Sequence, residues 1–177
     1  MTEHHLHTPL SGADVQKLVA GDVVFLSGPL FTARDKAHAL MRRAGSPVSL
    51  QGAALYHCGP LIQNDRVLSA GPTTSSRMAR YTEEILRLGV RAIIGKGGLP
   101  GEPFQSRAVY LAYPGGCGAA AAQQLRVLGV HLPQLGMAES LWVFEAKEFG
   151  PLIVAVDAHG KDLYKEVRRS AQRRELD

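Results

Sequence analysis

The chain has 177 residues, of which 45% are apolar and 20% are charged, and its formal net charge is +4. This length and composition predict a single domain with a full hydrophobic core. Aromatic residues make up only 6% and do not alternate with the basic ones, which concentrate near the C terminus at residues 165–169 and 173–174. The positive charge therefore indicates a solvated helix face and argues against nucleic-acid binding.

Cysteine content and apolar runs bear on location and cofactors. Cys58 and Cys117 are the two cysteines of the sequence and lack CxxC spacing, so they complete neither a zinc site nor a four-thiolate iron–sulfur site. The first residues show no basic region followed by an apolar core, and no apolar run reaches about 18 residues. We expect neither a secretory signal nor a membrane span, and we expect a reducing cytoplasmic location.

The predicted elements alternate between helix and strand, with Gly and Pro at most of the breaks. In chain order they are a helix over 11–19, a strand over 22–28, a helix over 34–44, strands over 53–58 and 67–70, a helix over 74–88, strands over 90–94 and 108–113, a helix over 118–128, strands over 141–146 and 152–157, and a helix over 162–175. This alternation predicts the α/β class.

Local signals define several boundaries. Ser11 is predicted to cap the first helix and Thr32 the second, with residues 29–33 as the connection between strand and helix. Residues 149–151 join the last two strands as a hairpin or a crossing loop. Residues 1–10, with three histidines, are expected to be a flexible tail and not a metal site, so the predicted domain spans 11–177.

The segment Gly-Pro-Thr-Thr-Ser-Ser-Arg-Met at 71–78 is the most informative one. Pro72 breaks the preceding strand, and the hydroxyl of Thr73, Thr74 or Ser75 can cap a helix. A helix that begins here directs free N–H groups and its dipole toward an anion. Arg77 in the first turn is locally unfavourable by up to about 1 kcal/mol, which favours a carboxylate or phosphate as ligand.

Two other junctions carry a cation in the same way. Arg34 follows the strand over 22–28, and Lys96 follows the strand over 90–94, where flanking glycines let a ligand approach closely. Three cations at strand–loop–helix junctions predict one site for a small dianion.

Five motifs occur in an order that resembles a known family. They are Gly-x5-Arg-Asp-x-Ala-His (28–38), Tyr-x-x-Gly-Pro (56–60), Gly-Pro-Thr-Thr-x-x-Arg-Met (71–78), Gly-Lys-Gly-Gly (95–98) and Leu-Trp-Val-Phe-Glu-x3-Phe-Gly-Pro (141–151). Through them the chain resembles the C-terminal half of class I fumarases, which also occurs as a separate beta subunit, and the beta subunit of L(+)-tartrate dehydratase. The resemblance runs from about residue 9 to about residue 165.

The resemblance implies a swivelling β/β/α fold and a hydro-lyase that hydrates fumarate to L-malate in the citric acid cycle. It also implies an oxygen-sensitive [4Fe-4S] cluster that three cysteines of the alpha part hold, with an open iron that acts as Lewis acid on the substrate hydroxyl. Cys58 and Cys117 do not match those cysteines. The chain is therefore expected to bind no metal itself and to need an alpha subunit, in a complex that doubles to α2β2.

The resemblance assigns the substrate pocket to Arg34, Thr73, Thr74, Arg77 and Lys96, in which the three cations bind the carboxylates. Thr73 matches a threonine proposed as the base that moves the C3 proton. A neutral hydroxyl is a poor base, so we expect it to need an acidic partner from the alpha subunit.

Several alternatives stay open. Asp35 and His38 match the first motif, but capping and core packing explain them equally well, and His57 is predicted to be a packed or partly exposed strand residue. The substrate is fumarate in the preferred interpretation and L(+)-tartrate in the second. A non-catalytic dicarboxylate-binding module is the alternative outside enzymes.

Overall fold

Strands and helices alternate along residues 1–174, the part of the chain that the computed structural model describes. The strands are β1 (Glu3–His7), β2 (Val23–Thr32), β3 (Ala54–Tyr56), β4 (Leu61–Gln63), β5 (Arg66–Ser69), β6 (Ala92–Gly95), β7 (Val109–Ala112), β8 (Leu125–His131) and β9 (Leu141–Val156). The α-helices are α1 (Gly12–Gln16), α2 (Asp35–Ala44), α3 (Thr82–Arg87), α4 (Gly118–Gln123) and α5 (Leu163–Arg174), and 3₁₀ helices cover Ser75–Tyr81, Glu102–Phe104 and Pro133–Leu135. The predicted α/β class is confirmed.

The main sheet closes on itself. Its strand order is β1-β2-β3-β6-β7-β9-β8, and β9 also pairs with β2. The pairs β1–β2, β2–β3, β3–β6 and β6–β7 are parallel, whereas β9 runs antiparallel to β2, β7 and β8. Strands β2, β3, β6, β7 and β9 therefore form a ring, which β1 and β8 flank, while β4 and β5 form a separate hairpin.

The central strands are buried on both faces. Along β3, β6 and β7, Tyr56, Ile94 and Leu111 point into the core inside the ring. The residues between them along the strands, such as Leu55 and Ile93, point outward into a second core under α2 and α3. Because both faces are buried, the sequences of these strands are short continuous apolar runs.

Strand β2 does not end at Gly28 as predicted. It continues through Pro29 to Thr32, because the antiparallel pairing with β9 holds this stretch in the sheet, with Pro29 opposite Glu145. Gly28 has a φ of 96°, and the register with β9 shifts between Leu26 and Gly28. A Gly–Pro pair next to such an irregularity is compatible with a strand, because proline and glycine within strands occur mainly at bulges and edges.

The predicted cap of α2 is wrong for the same reason. Thr32 is fully buried in β2, and its hydroxyl accepts the backbone N–H of Trp142 (3.2 Å). The N-cap of α2 is Arg34, which makes no side-chain capping hydrogen bond, while Asp35 lies in the first turn. At α1 the prediction is confirmed, since Ser11 and Asp14 form a reciprocal capping box.

Two further predictions fail in the C-terminal third. The two strands predicted over 141–146 and 152–157 are one 16-residue strand, β9, in which Gly150 N–H donates to the Gln124 side chain (3.4 Å). The helix predicted over 118–128 ends at Gln123, and the following residues form β8. Pairing with β2 keeps β9 as one strand, and pairing with β9 makes residues 125–131 a strand. Local propensity alone reveals neither pairing. The predicted last helix corresponds to α5, and its final residue lies outside the described residues.

The first residues form a strand in place of the predicted tail. β1 pairs with β2 from Glu3 to His7, and Leu6 is buried in the main core. His4 Nε2 lies 3.0 Å from Asp22 Oδ2, and His5 contacts two glutamates. Among residues 1–174, no helix is long and apolar enough to span a bilayer.

A substitution in β1 tests this placement. We expect Leu6→Ala to destabilise the fold by about 2–3 kcal/mol, because it removes buried apolar contacts. The exposed neighbour Glu3→Ala serves as control and should change stability by less than about 0.5 kcal/mol. Chemical denaturation measures both, and equal stability of the two variants would contradict a strand that contributes to the core.

Candidate functional site

The parallel strands β2, β3, β6 and β7 all end at the same edge of the sheet. Arg34 lies two residues beyond β2, His57 directly follows β3, and Lys96 directly follows β6. The carboxyl ends of parallel strands are a usual place for ligands in α/β proteins, because the loops there converge. The predicted cations at 34 and 96 thus lie at one edge, after the strands β2 and β6 that flank β3.

The segment 71–75 crosses this edge and joins two of the strand ends. Pro72 forms a bridge with Cys58, and Thr74 forms a parallel bridge with Lys96. The Thr73 N–H donates to the His57 carbonyl (2.7 Å), and the Lys96 N–H donates to the Thr73 carbonyl (3.3 Å). Thr73, Thr74 and Lys96 are therefore held side by side by backbone hydrogen bonds.

Lys96 faces solvent at this edge. Its side chain is exposed, and a Cβ on Gly115 would lie 3.4 Å from its Nζ, so the glycine after β7 leaves space beside the ammonium group. Within residues 1–174, no carboxylate lies within ion-pair distance of Lys96 Nζ. The ammonium group is free to bind an external anion.

Arg34 is packed and paired. Its Nε lies 3.4 Å from Glu139 Oε1, which is an ion-pair distance, but Nε has no aligned hydrogen bond. Glu139 Oε2 accepts the backbone N–H of Lys36 (2.8 Å), which fixes the carboxylate against α2. On the other side, a Cβ on Gly59 would lie 2.5 Å from Arg34 Nη1 and 2.7 Å from the Ala138 carbonyl oxygen. The Arg34 guanidinium is thus confined between Gly59 and the loop before β9.

Arg77 reaches toward α2. Its guanidinium forms an ion pair and a hydrogen bond with Asp35, in the first turn of α2, and its side chain is about half exposed (48%). Arg77 lies in a 3₁₀ helix, whose N-cap Thr74 makes no side-chain capping bond. The predicted helix cap at 73–75 is therefore not formed, and the argument for an anion at that helix terminus loses its support.

Two buried histidines lie behind the site. Burial lowers the pKa of His38 to about 4, although its hydrogen bond to the Arg34 carbonyl (2.8 Å) and the nearby Asp35 act in the opposite direction. Burial also lowers the pKa of His57 well below its usual value. Both rings are neutral at pH 7 and contribute hydrogen bonds without adding charge to the site.

A cavity of about 320 Å³ adjoins the site between the loop after β6 and the start of α5. Its lining includes Ser76, Gly97, Gly98, Glu102, Tyr164 and Lys165. Two lining residues, Ser76 and Gly97, are sequence neighbours of Arg77 and Lys96. The charged side chains of Lys165 and Glu102 in the lining form an ion pair with each other.

Comparison with known proteins identifies the family. Residues 2–167 match the model of the family described as Fumarase C-terminus, so the chain belongs to this family. The L(+)-tartrate dehydratase subunit beta of Escherichia coli K12 is 40% identical over 96% of this chain and 91% of its own length. The corresponding subunit of Shigella sonnei is 39% identical with the same coverage.

A longer relative has a different name. A protein of Geobacillus stearothermophilus, provisionally named fumarate hydratase class I, is 34% identical over 94% of this chain and 34% of its own length. These relatives are hydro-lyases or subunits of hydro-lyases by name, and the resemblance inferred from the five motifs is confirmed.

The cysteines of this chain do not suit an iron–sulfur cluster. Burial raises the pKa of the Cys58 thiol to about 12, which disfavours the thiolate that iron requires, and Arg34 offsets this only in part. Cys117 lies apart in the sequence and is half-buried. Among residues 1–174, no group of three or more His, Cys, Asp or Glu side chains is arranged to hold a metal ion.

The structure brings Thr73, Thr74 and Lys96 into direct contact and places Arg34 on a neighbouring loop. Arg77 is directed to Asp35. Their roles in substrate binding stay predictions. Sequence reasoning missed Glu139, because nothing in the local sequence relates it to Arg34, and missed Gly59, although the Tyr-x-x-Gly-Pro motif contains it.

The pKa of His38 predicts how stability depends on pH. The unfolded state takes up a proton near pH 6.5 and the folded state only near pH 4, so stability is complete above pH 6.5 and falls toward pH 4. His38 alone accounts for about 3 kcal/mol over this window, and His57 acts in the same direction. Urea unfolding at several pH values measures the slope, and His38→Gln should reduce it by about one proton. An unchanged slope would refute the assignment.

The confinement of Arg34 gives a second prediction. Gly59→Ala should destabilise the fold by about 1–3 kcal/mol, because the new methyl group displaces the guanidinium or the Ala138 loop. Gly129→Ala is the matched control, since a Cβ at that position meets nothing within 4 Å. Denaturant unfolding compares the two, and a neutral Gly59→Ala would show that Arg34 is not held in this way.

Proposed function

We propose that the chain is the beta subunit of a class I fumarase-type hydro-lyase, which hydrates fumarate reversibly to L-malate in the cytoplasm. The observation that carries the proposal is the position of Lys96, an exposed ammonium group beside the hydroxyls of Thr73 and Thr74 at the carboxyl edge of the sheet. Membership of the Fumarase C-terminus family supports this reading.

The charges at this edge suit a four-carbon dicarboxylate. In the proposal, Lys96 binds one carboxylate, and the outer edge of the Arg34 guanidinium binds the other. Glu139 holds Arg34 in place before the substrate arrives, which reduces the entropy lost on binding. Arg77, paired with Asp35, contributes to the positive potential and keeps the 3₁₀ helix against α2.

Thr73 is the proposed residue that moves the C3 proton. Its hydroxyl is neutral and needs an ionised carboxylate as partner to accept the proton. Asp35 and Glu139, the carboxylates at this edge, are engaged by Arg77 and Arg34. We therefore assign the partner of Thr73 to the alpha subunit.

The alpha subunit is also the proposed holder of the [4Fe-4S] cluster, because the cysteines of this chain do not suit that group. The relatives named as subunits beta support the existence of a partner chain. An α2β2 assembly stays a prediction.

The second candidate function is the dehydration of L(+)-tartrate. It is favoured by the names of the relatives, since those that match this chain over 91% of their length are subunits of L(+)-tartrate dehydratase. Both substrates carry two carboxylates on four carbons, so the same cations serve either reaction.

An assay of the two-chain complex distinguishes these functions. The chain is co-expressed with its alpha subunit, the cluster is reconstituted without oxygen, and conversion of fumarate and of L-tartrate is followed in parallel. We expect hydration of fumarate only when both chains are present. Faster turnover of tartrate would favour the second candidate, and a cluster-loaded complex inactive on both acids would refute the hydro-lyase proposal.

The role of Lys96 is tested in the same complex. Lys96→Ala should raise KM by about 10- to 150-fold, because a hydrogen bond to a charged group contributes about 1.5–3 kcal/mol. Lys147→Ala, an exposed lysine on β9, is the matched control and should leave KM unchanged. Equal KM values for both variants would remove Lys96 from the binding site.

A further inference from the structure

Ser75 lies fully buried directly behind the residues of the candidate site. It follows Thr73 and Thr74, and its backbone N–H donates to the Lys96 carbonyl (2.8 Å). Its hydroxyl fits only because residue 95 is glycine, since a Cβ there would lie 2.0 Å from Ser75 Oγ. Gly95, at the end of β6, thus leaves the space that this hydroxyl group occupies.

The Ser75 hydroxyl joins two buried side chains from different strands. The Tyr110 O–H, from β7, donates to Ser75 Oγ (3.0 Å), and His57 Nδ1, at the end of β3, lies 2.9 Å from the same oxygen. A serine hydroxyl can accept the Tyr110 proton and form a second hydrogen bond with His57 Nδ1, so Ser75 links the two side chains.

The network reaches two more segments of the site. Burial raises the pKa of Tyr110, while its hydrogen bond with Ser75 and the nearby Gly98 backbone, in the loop that follows Lys96, oppose this rise. At the other end, the His57 ring meets the His38 ring edge to face, with centroids 4.9 Å apart. The His38 Nδ1–H donates to the carbonyl of Arg34 (2.8 Å), the residue before α2.

The network is neutral and leaves one group without a partner. Both histidine rings are uncharged at pH 7, so the network adds no charge near Lys96 or Arg34. His57 Nε2 is buried without a hydrogen-bond partner, which is rare in folded proteins. A neutral, buried network at this position acts on the site through geometry.

We propose that Ser75 is a positioning residue, which holds Thr73, Thr74 and Lys96 in place for the dicarboxylate through its hydrogen bonds to Tyr110 and His57. The inference rests on the proposed function, because it assigns to this edge the binding of a dicarboxylate. It adds that buried side chains, which do not contact the substrate, determine the geometry of the binding residues.

Stability alone does not test the proposal. Ser75→Ala leaves the Tyr110 O–H and His57 Nδ1 buried without a partner, and this destabilises any fold. The double variant Ser75→Ala/Tyr110→Phe also removes the phenol hydroxyl that would lack a hydrogen-bond partner, and it should recover part of the lost stability. Thr8→Val is the matched control, since Thr8 is also buried and its hydroxyl donates to two carbonyls in the middle of β2.

The experiment uses the reconstituted alpha–beta complex and two readouts. In the double variant kcat/KM should fall about 10- to 100-fold, mostly through KM, because misplaced binding groups lose substrate affinity. Amide hydrogen exchange should become faster at Ser75 and Lys96, whose N–H groups hold the crossing segment. Thr8→Val should change neither the KM nor the exchange at these two amides.

The outcomes separate this inference from the proposed function. A double variant with the KM and the amide exchange of the wild type would overturn the positioning role of Ser75. A wild-type complex inactive on both acids would refute the proposed function and, with it, the assignment of a dicarboxylate to this edge. In that case faster exchange would still show that Ser75 orders the segment, and unchanged exchange would reject that role as well.

Discussion

The antiparallel pairing of β2 with β9 is the constraint on which the rest of the structure depends. It closes the ring of strands, and it places the end of β2 beside the start of β9, where Phe31 pairs with Val143. The Thr32 hydroxyl accepts the Trp142 N–H at this point. Arg34 and Glu139, just beyond these strand ends, consequently meet. One sheet contact thus determines both the topology and the orientation of a candidate binding arginine.

The cations at this edge differ in whether they already have a carboxylate partner. Arg34 and Arg77 each have a carboxylate partner, whereas Lys96 has none within ion-pair distance among residues 1–174. Paired arginines keep a fixed orientation and still offer the remaining N–H donors of the guanidinium group. An unpaired lysine is mobile and strongly hydrated, and it gains most from an incoming anion. The edge therefore combines two preorganised cations with one adaptable cation.

The sequence predicted those features that local chemistry determines. Ser11 caps the first helix as expected, and Lys96 directly follows a strand as expected, because both features depend on neighbouring residues. Predictions failed where pairing with a distant strand overrides a local break. Pro29 lies inside β2 and Pro151 inside β9, and these two strands pair with each other. Glu139 was not predictable either, since its contact with Arg34 depends on the β2–β9 register.

The proposed division of the site between two chains rests on the groups that residues 1–174 place at this edge. It offers cations and hydroxyls, while its carboxylates are engaged by arginines and its histidines are neutral and buried. In the proposed function these cations and hydroxyls bind and orient the dianion, while the paired carboxylates Asp35 and Glu139 are poorly placed to accept a proton. The buried position of Cys58 adds no metal ligand. In the proposed function, the base and the cluster ligands therefore come from the alpha subunit.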